Sequence, residues 1–181
     1  MKEKYFAFLR GINVGGHHKV PMAELRKEME KIGFENILTL LNSGNIIFDA
    51  ETDNADQIEK LISEHIEKYF GFPIPTIVRN ARAIQQLFDE NPFNGFERTK
   101  EIRFYISLLK KDIQSELKLP WASADKSYHV IEKKDKNILS VLDVSVTKTP
   151  KAMEVLEKSF GKNITTRNWN TIERMIKKIN G

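Results

Sequence analysis

The chain has no cysteine among its 181 residues. This absence excludes disulfide bonds, thiolate zinc sites, iron–sulfur clusters and cysteine nucleophiles. Its apolar runs are only a few residues long, far below the ~20 residues that a membrane-spanning helix requires. The amino terminus also lacks the apolar stretch of a signal peptide. We therefore expect a soluble, cytoplasmic protein without a membrane partner.

Charge is distributed unevenly along the chain, whose net charge is +4. Residues 1–80 carry 10 basic and 12 acidic side chains, whereas residues 81–181 carry 19 basic and 13 acidic side chains. The basic second half favours an anionic partner near the carboxyl terminus. Solvated lysines on helix faces explain the same composition, because exposed lysines are the rule. Composition leaves both interpretations open.

Hydrophobic periodicity in residues 1–80 predicts the order β-α-β-β-α-β. The spacing predicts strands at 4–9, 37–41, 45–48 and 74–79, with one helix at 21–32 and another between Asn54 and Gly71. Asn54 and Gln57 form a predicted capping box at the start of the second helix. Pro75 favours an edge position for the last strand, because proline has no N–H to donate to a neighbouring strand.

The second half repeats this order of elements. Strands are predicted at 102–108, 127–133, 137–144 and 164–166. A short helix with Ile84, Leu87 and Phe88 precedes them, a second short helix is predicted at 112–118, a longer helix begins at Thr149, and a final helix is capped by Asn170. The predicted fold is α+β, with two ferredoxin-like β-α-β-β-α-β halves and a C-terminal helix. Each half is expected to have an antiparallel sheet with its helices on one face. We predict the halves at 1–80 and 81–181.

Polar residues that call for an explanation lie in three segments. They are Arg10, Asn13, Gly15, Gly16 and Lys19 in a glycine-rich loop; Asn42, Ser43 and Asn45 in a turn; and Arg167, Asn168 and Trp169 before the last helix. A glycine-rich loop ahead of a helix favours anion binding, although this loop matches neither standard phosphate-binding fingerprint. Turn chemistry is a sufficient explanation for the second segment, and Trp169 is suited either to anchoring the last helix or to covering a planar ligand.

No segment carries recognisable metal-binding or catalytic machinery. His17 and His18 are neighbours without a nearby carboxylate cluster, so we predict no metal site. The chain shows no nucleophile elbow, no Ser-His-Asp order and no paired carboxylates within an apolar segment. We accordingly predict no cofactor, and the question of catalysis stays open.

Four motifs follow one another along the chain. They are Leu9-Arg10-Gly11-Ile12-Asn13-Val14-Gly15-Gly16, Leu41-Asn42-Ser43-Gly44-Asn45, Asn91-Pro92-Phe93 and Thr166-Arg167-Asn168-Trp169-Asn170-Thr171. Together they resemble the bacterial family called domain of unknown function 1697. The resemblance implies a small cytoplasmic α+β protein with ferredoxin-like halves, and it implies no reaction. It also implies that the polar motifs belong to one set.

The leading functional hypothesis is binding of a small anionic or planar ligand at a site shared by both halves. Arginine, lysine and asparagine would supply charge and hydrogen bonds there, and Trp169 would supply a stacking surface. A second hypothesis is a nucleic-acid-binding module on an open sheet, which the mostly aliphatic strand at 45–48 disfavours. A third is an enzyme that acts through this cluster, and a fourth is a purely structural cluster whose polar groups satisfy one another.

Overall fold

The computed structural model describes residues 1–181, which divide into two compact units, Met1–Asp89 and Glu90–Gly181. The predicted boundary lies between residues 80 and 81. The short helix predicted from Ile84, Leu87 and Phe88 is α3 (Ala81–Asp89), and it belongs to the first unit because it contacts two strands of the first sheet. None of the helices combines the length and apolar character needed to cross a lipid bilayer.

The first unit alternates strands and helices in the predicted order. Its elements are β1 (Glu3–Leu9), α1 (Met22–Lys31), β2 (Glu35–Leu40), β3 (Asn45–Ala50), α2 (Ala55–Phe70), β4 (Thr76–Asn80) and α3. The strands form an antiparallel sheet in the order β2-β3-β1-β4. The β-α-β-β-α-β order is therefore confirmed for residues 1–80, and β4 occupies the sheet edge predicted from Pro75.

The core of the first unit lies between its sheet and helices α1 and α2. Side chains alternate along β1, so Tyr5, Ala7 and Leu9 share the face that the helices cover. The helices meet them with apolar stripes, in which Leu25 and Ile62 are fully buried. Removal of this apolar surface from water is the main force that holds both helices on the sheet.

The ends of α2 follow the sequence prediction. The Asn54 side chain accepts a hydrogen bond of 3.1 Å from the backbone N–H of Gln57, which satisfies one of the free donors at the helix start. Gly71 ends the helix in the left-handed conformation, with a φ of 81°.

The second unit contains a five-stranded antiparallel sheet and two helices. Its elements are β5 (Ile102–Leu109), β6 (Trp121–Ala122), β7 (Tyr128–Lys134), β8 (Asn137–Asp143), α4 (Thr149–Phe160), β9 (Ile164–Asn168) and α5 (Trp169–Asn180). The strand order is β6-β7-β8-β5-β9. Without the two-residue strand β6, this order repeats that of the first sheet.

Helices α4 and α5 cover opposite faces of the second sheet. Tyr105 packs in the core that includes Leu156 of α4. Its neighbour Phe104 points to the other face, where Phe93 stacks on it and Trp169 of α5 packs against Phe93. Helix α4 therefore covers one face of the sheet, and the C-terminal helix, which is predicted in addition to the second half, covers the other face.

The predicted helix at 112–118 is absent. Ile113 and Leu117 have helical spacing, but Leu117, Leu119 and Trp121 lie two residues apart and all pack against the core of the unit. The Ser115 hydroxyl also accepts a hydrogen bond of 3.1 Å from the backbone N–H of Leu117, a local bond that competes with helix formation. The segment therefore reaches β6 without regular secondary structure.

Candidate functional site

The glycine-rich loop at 10–19 joins β1 to α1 and lies beside the turn between β2 and β3. The backbone N–H of Leu9 donates a hydrogen bond of 2.8 Å to the carbonyl of Gly44. The next N–H, that of Arg10, donates a hydrogen bond of 2.9 Å to the carbonyl of Pro75, just before β4. These bonds hold the start of the loop between the β2–β3 turn and the residue before β4.

Asn13 fixes the loop through three hydrogen bonds to the backbone. Its Oδ1 accepts from the N–H of Val20 at 2.8 Å, and its Nδ2 donates to the carbonyls of Val20 at 3.0 Å and Asn42 at 2.7 Å. The residue has a φ of 55°, which asparagine tolerates better than most residues. Because backbone partners occupy the amide, Asn13 positions the loop and does not offer a free group to a ligand.

The turn beside the loop is stabilised by its own side chains and by a glycine. Asn45 is fully buried, and its Nδ2 donates to the carbonyl of Leu40 at 3.1 Å and to the Oγ of Ser43 at 2.9 Å. Gly44 has a φ of 77°, and a Cβ atom there would lie 2.5 Å from the Cβ of Leu9. Turn geometry thus accounts for Ser43, Gly44 and Asn45.

Several of the sequence-predicted residues remain exposed at the surface of this region. Gly15, Gly16, Lys19 and Asn42 are exposed, and Arg10 is half-buried. The charge of Lys19 and the side-chain amide of Asn42 have no partner within the protein. The Lys19 ammonium group and the Asn42 side-chain amide are therefore free to contact a ligand.

His18 has a structural role in the same loop. Its ring stacks on Phe72 with a centroid distance of 4.5 Å and an interplanar angle of 14°. Its Nδ1 lies 3.2 Å from the carbonyl of Gly11, so this nitrogen carries the proton and donates it. No group of three histidine or acidic side chains is arranged to hold a metal ion.

In the second unit, Asn168 caps the final helix. Its Oδ1 accepts a hydrogen bond of 2.9 Å from the backbone N–H of Asn170. The predicted cap, Asn170, is therefore wrong: β9 continues to Asn168, and the helix starts at Trp169. The side chain of Asn168 thus serves the helix start, and capping accounts for its polarity without a ligand.

Trp169 belongs to the interior of the second unit. Its side chain is 4% exposed and packs edge-on against Phe93 at a centroid distance of 5.1 Å. Phe93 in turn stacks on Phe104 at 4.5 Å. These contacts support the packing interpretation of Trp169 and leave little of its ring for a ligand.

Arg167 precedes this capped helix start within β9, where it pairs with Ile106 of β5. Its Nη1 donates a hydrogen bond of 3.1 Å to the carbonyl of Thr166. Burial lowers the pKa of Arg167 to about 10, so its guanidinium stays charged at neutral pH. The structure thus brings together the predicted residues of the first unit, and separately those of the second unit. A site shared by both sets stays a prediction.

The second unit also contains a cavity of about 440 Å³ that the sequence did not indicate. Its lining comes from the segment before β5, from the start of β7 and from the end of β8: Phe96, Glu97, Thr99, Glu101, Ile102, Lys126, Ser127, His129, Val141, Asp143 and Ser145. The sequence signal was weak, because these residues lie at element ends that are distant along the chain. Alternation around Tyr128, which is buried in the core, places Ser127 and His129 on the cavity side.

The nucleic-acid hypothesis requires aromatic side chains on an open sheet face. Tyr5, Phe6 and Phe8 of β1 all have 0% of their surface exposed. These rings are therefore not available for stacking on bases.

Two antiparallel sheets, five helices and polar loops pinned by backbone hydrogen bonds define a small α+β protein. Residues 1–138 match the model of the family described as protein of unknown function (DUF1697), so the chain belongs to that family. The fold is similar to the solved structure of a conserved bacterial protein from Streptococcus pneumoniae, with 25% identity and a TM-score of 0.71. This match covers 96% of the present chain and 97% of the other. No curated protein matches.

Proposed function

We propose that the protein binds a small anionic ligand at the loop end of the first unit, defined here as residues 10–19 and 41–44. The observation that carries the proposal is the fixation of an exposed loop by the Asn13 side chain, which bonds Val20 and Asn42. A loop that is ordered before binding loses less entropy when a ligand arrives. The fixed conformation of this loop therefore favours ligand binding.

The chemistry displayed at the loop end suits an anion. Lys19 supplies a positive charge, and Arg10 adds a second. The backbone N–H groups of Gly15 and Gly16 make no hydrogen bond within the protein. Unpaired N–H groups of this kind are donors that anions use in many proteins.

The local sequence contains no acidic residue that would oppose an anion. Neither residues 10–23 nor residues 36–48 include an aspartate or a glutamate. The loop end offers no group in the arrangement of a nucleophile with its base, which favours binding over catalysis. Planar ligands lose their proposed stacking partner, because Trp169 is buried.

A titration with inorganic phosphate tests the proposal. Amide resonances of ¹⁵N-labelled protein are followed at constant ionic strength, and we expect those of Gly15 and Gly16 to shift in a saturable manner. The variant Lys19→Gln removes one charge and is expected to weaken phosphate binding about three- to tenfold. Pyrophosphate, which carries more charge, is expected to bind more tightly than phosphate.

The matched control is Lys27→Gln, which removes an exposed lysine from α1 outside the loop end. This variant should bind phosphate as the wild type does. If both variants weaken binding equally, the effect is general electrostatics and the proposal fails. It also fails if saturating phosphate leaves the resonances of Gly15 and Gly16 in place.

We further propose that both units are variants of the ferredoxin-like arrangement and that the protein works in the bacterial cytoplasm. Support for the arrangement comes from the shared strand order of the two sheets, and support for a bacterial source comes from the similar protein of Streptococcus pneumoniae. Fractionation of cells that express the native chain tests the compartment.

A further inference from the structure

The wall of the cavity in the second unit is held in place by contacts outside the cavity itself. Phe93 stacks on Phe104 with an interplanar angle of 3°. Arg98 forms an ion pair of 2.5 Å with Glu173 of α5, and its guanidinium lies 5.5 Å from the centroid of the Phe104 ring. The segment that carries Phe96 and Glu97 is thereby fixed between these anchors.

The interior of the cavity combines apolar surface with one oriented imidazole. Ile102, Val141 and Phe96 supply the apolar part, and the ring of His129 contacts that of Phe96 at a centroid distance of 6.0 Å. The Nε2 of His129 lies 2.9 Å from the carbonyl of Lys126, so Nε2 carries the proton. In the neutral ring Nδ1 then keeps its lone pair. A volume of about 440 Å³ lies within the range of sites for small organic molecules.

Three carboxylates lie at the rim of the cavity, where Glu97 and Glu101 are exposed and Asp143 is half-buried. Asp143 uses only Oδ1 within the protein, where it accepts from the N–H and the hydroxyl of Ser145 at 2.9 and 2.5 Å. Glu101 uses only Oε2, which accepts from the Thr99 hydroxyl at 3.1 Å. Glu97 has no hydrogen-bond partner at all.

The only lysine of the lining does not neutralise these carboxylates. Lys126 forms no ion pair with any of them. Apart from His129, the lining carries three negative charges and one positive charge, in a half of the chain that is basic overall. A charge balance opposite to that of the surrounding unit distinguishes this cavity from its surroundings.

We propose that the cavity binds a small organic cation, namely an amine with an apolar body. The ammonium group would lie among the free carboxylate oxygens of Asp143 and Glu101, where it can form charge-assisted hydrogen bonds. The apolar body would contact Ile102, Val141 and the face of Phe96. This proposal is independent of anion binding at the loop end, which lies in the other unit.

Two probes of similar shape and opposite charge test whether the cavity prefers a cation to an anion. The amine is 2-phenylethylamine, and the anion is 3-phenylpropanoate. Binding to the full chain is measured by titration calorimetry and by shifts of amide resonances. For so small a ligand we expect dissociation constants on the order of millimolar for the amine, with shifts confined to residues 96–102, 126–129 and 141–145. The anion should bind at least tenfold more weakly.

Isosteric substitutions identify the groups responsible. Asp143→Asn keeps an oxygen that can accept from Ser145 but removes the charge, and Glu101→Gln does the same beside Thr99. Asp143→Asn should weaken amine binding about tenfold, the loss expected for one charge-assisted hydrogen bond, and Glu101→Gln, whose carboxylate is exposed to solvent, about two- to fivefold. The control is Glu116→Gln, an exposed acid outside the cavity that has no partner in the structure. Its amine affinity should equal that of the wild type.

Three results would overturn the proposal. The first is that no amine binding is detected at amine concentrations tens of times the expected dissociation constant. The second is that the anion binds as tightly as the amine. The third is that both Asp143→Asn and Glu101→Gln leave the amine affinity unchanged. Circular dichroism and thermal unfolding of each variant show whether it is folded. If one variant is unfolded, the other decides the outcome.

Discussion

The side chain of Asn13 donates a hydrogen bond of 2.7 Å to the backbone carbonyl of Asn42. The two residues lie 29 positions apart and belong to different connections of the first sheet. Only the backbone of Asn42 takes part in this contact, because the side chain of Asn42 makes no hydrogen bond. Two asparagines from similar polar motifs therefore have different roles, one in holding the loop and one at its surface.

This asymmetry predicts different stabilities for two substitutions. Asn13→Gly removes three hydrogen bonds while keeping the φ of 55° accessible, and we expect a loss of about 1–2 kcal/mol in the free energy of unfolding. Asn42→Gly should cost less than about 0.5 kcal/mol, because only its backbone is used. Urea denaturation measures both. Equal losses would show that Asn13 does not hold the loop.

Gly44 and Gly16 provide a second matched pair, since both have a φ of 77°. An alanine at either position adopts an unfavourable left-handed conformation, at a cost of about 1–2 kcal/mol. At position 44 the new Cβ would also overlap with the Leu9 side chain, whereas nothing lies within 4 Å at position 16. We therefore expect Gly44→Ala to lose at least about 1 kcal/mol more than Gly16→Ala in thermal or urea unfolding. Similar losses would contradict the close approach.

The parts of the fold that could be predicted are those in which one hydrophobic period is unambiguous. Ile102, Phe104 and Ile106 alternate cleanly and form β5, as predicted. The segment at 110–120 contains two periods at once, because Leu117 has helical spacing from Ile113 and strand spacing from Leu119. Contacts with the core decide between the two periods, and those contacts involve residues distant in sequence.

The candidate site could be predicted only in outline. The polar motifs of the first unit do lie together, but residue types alone did not show that Asn13 and Asn45 are occupied by backbone partners. The cavity was not predicted, because its carboxylates come from the ends of separate elements and show no regular spacing along the sequence. Local patterns indicate which residues are polar, whereas tertiary structure determines which polar atoms are left free.

Asn168 and Asn170 allow a direct test of the helix start. Because Asn168 accepts the hydrogen bond at the start of α5, Asn168→Ala should lower the free energy of unfolding by about 1 kcal/mol. Asn170→Ala should change it by less than about 0.5 kcal/mol, since alanine is well tolerated within the first turn. If urea denaturation shows a larger loss for Asn170→Ala than for Asn168→Ala, Asn170 is the cap.

The hydroxyl of Tyr128 is buried without a hydrogen-bond partner, as is that of Ser140. Burial raises the pKa of Tyr128 to about 12, and the nearby Ser140 hydroxyl only partly opposes the rise. Tyr128→Phe should therefore change stability at pH 7 by no more than about 1 kcal/mol, and in the stabilising direction.

The same shift makes a prediction at high pH. Since the unfolded phenol ionises near pH 10 and the folded phenol near 12, the wild type should lose stability as pH rises from 10 to 12. Tyr128→Phe lacks this contribution, so the stability difference between variant and wild type should grow in its favour. Urea denaturation at pH 9 and at pH 11 measures that difference, and an unchanged value would contradict the assignment.

Glu28 provides the corresponding prediction at low pH. Its side chain is only 4% exposed, and it accepts hydrogen bonds from Lys31 at 2.5 Å and from the Nε2 of His65 on α2 at 2.8 Å. The bond from Lys31 lowers the pKa of Glu28 below its usual 4.5, with His65 adding to the effect and burial opposing it. The carboxylate thus ionises more readily in the folded state. Its contribution to stability is complete above pH 4.5 and is lost as pH falls through the lower folded pKa.

The variant Glu28→Gln removes this titration and keeps the size of the side chain. We expect it to be less stable than the wild type at pH 6, and we expect the gap between the two to narrow as pH falls from 4.5 to 3. Glu30→Gln, at an exposed position of the same helix, controls for the general loss of negative charge. Its stability should follow that of the wild type across the same range. A constant gap between wild type and Glu28→Gln would mean that Glu28 has the same pKa in both states, and that its contacts with Lys31 and His65 do not stabilise its charge.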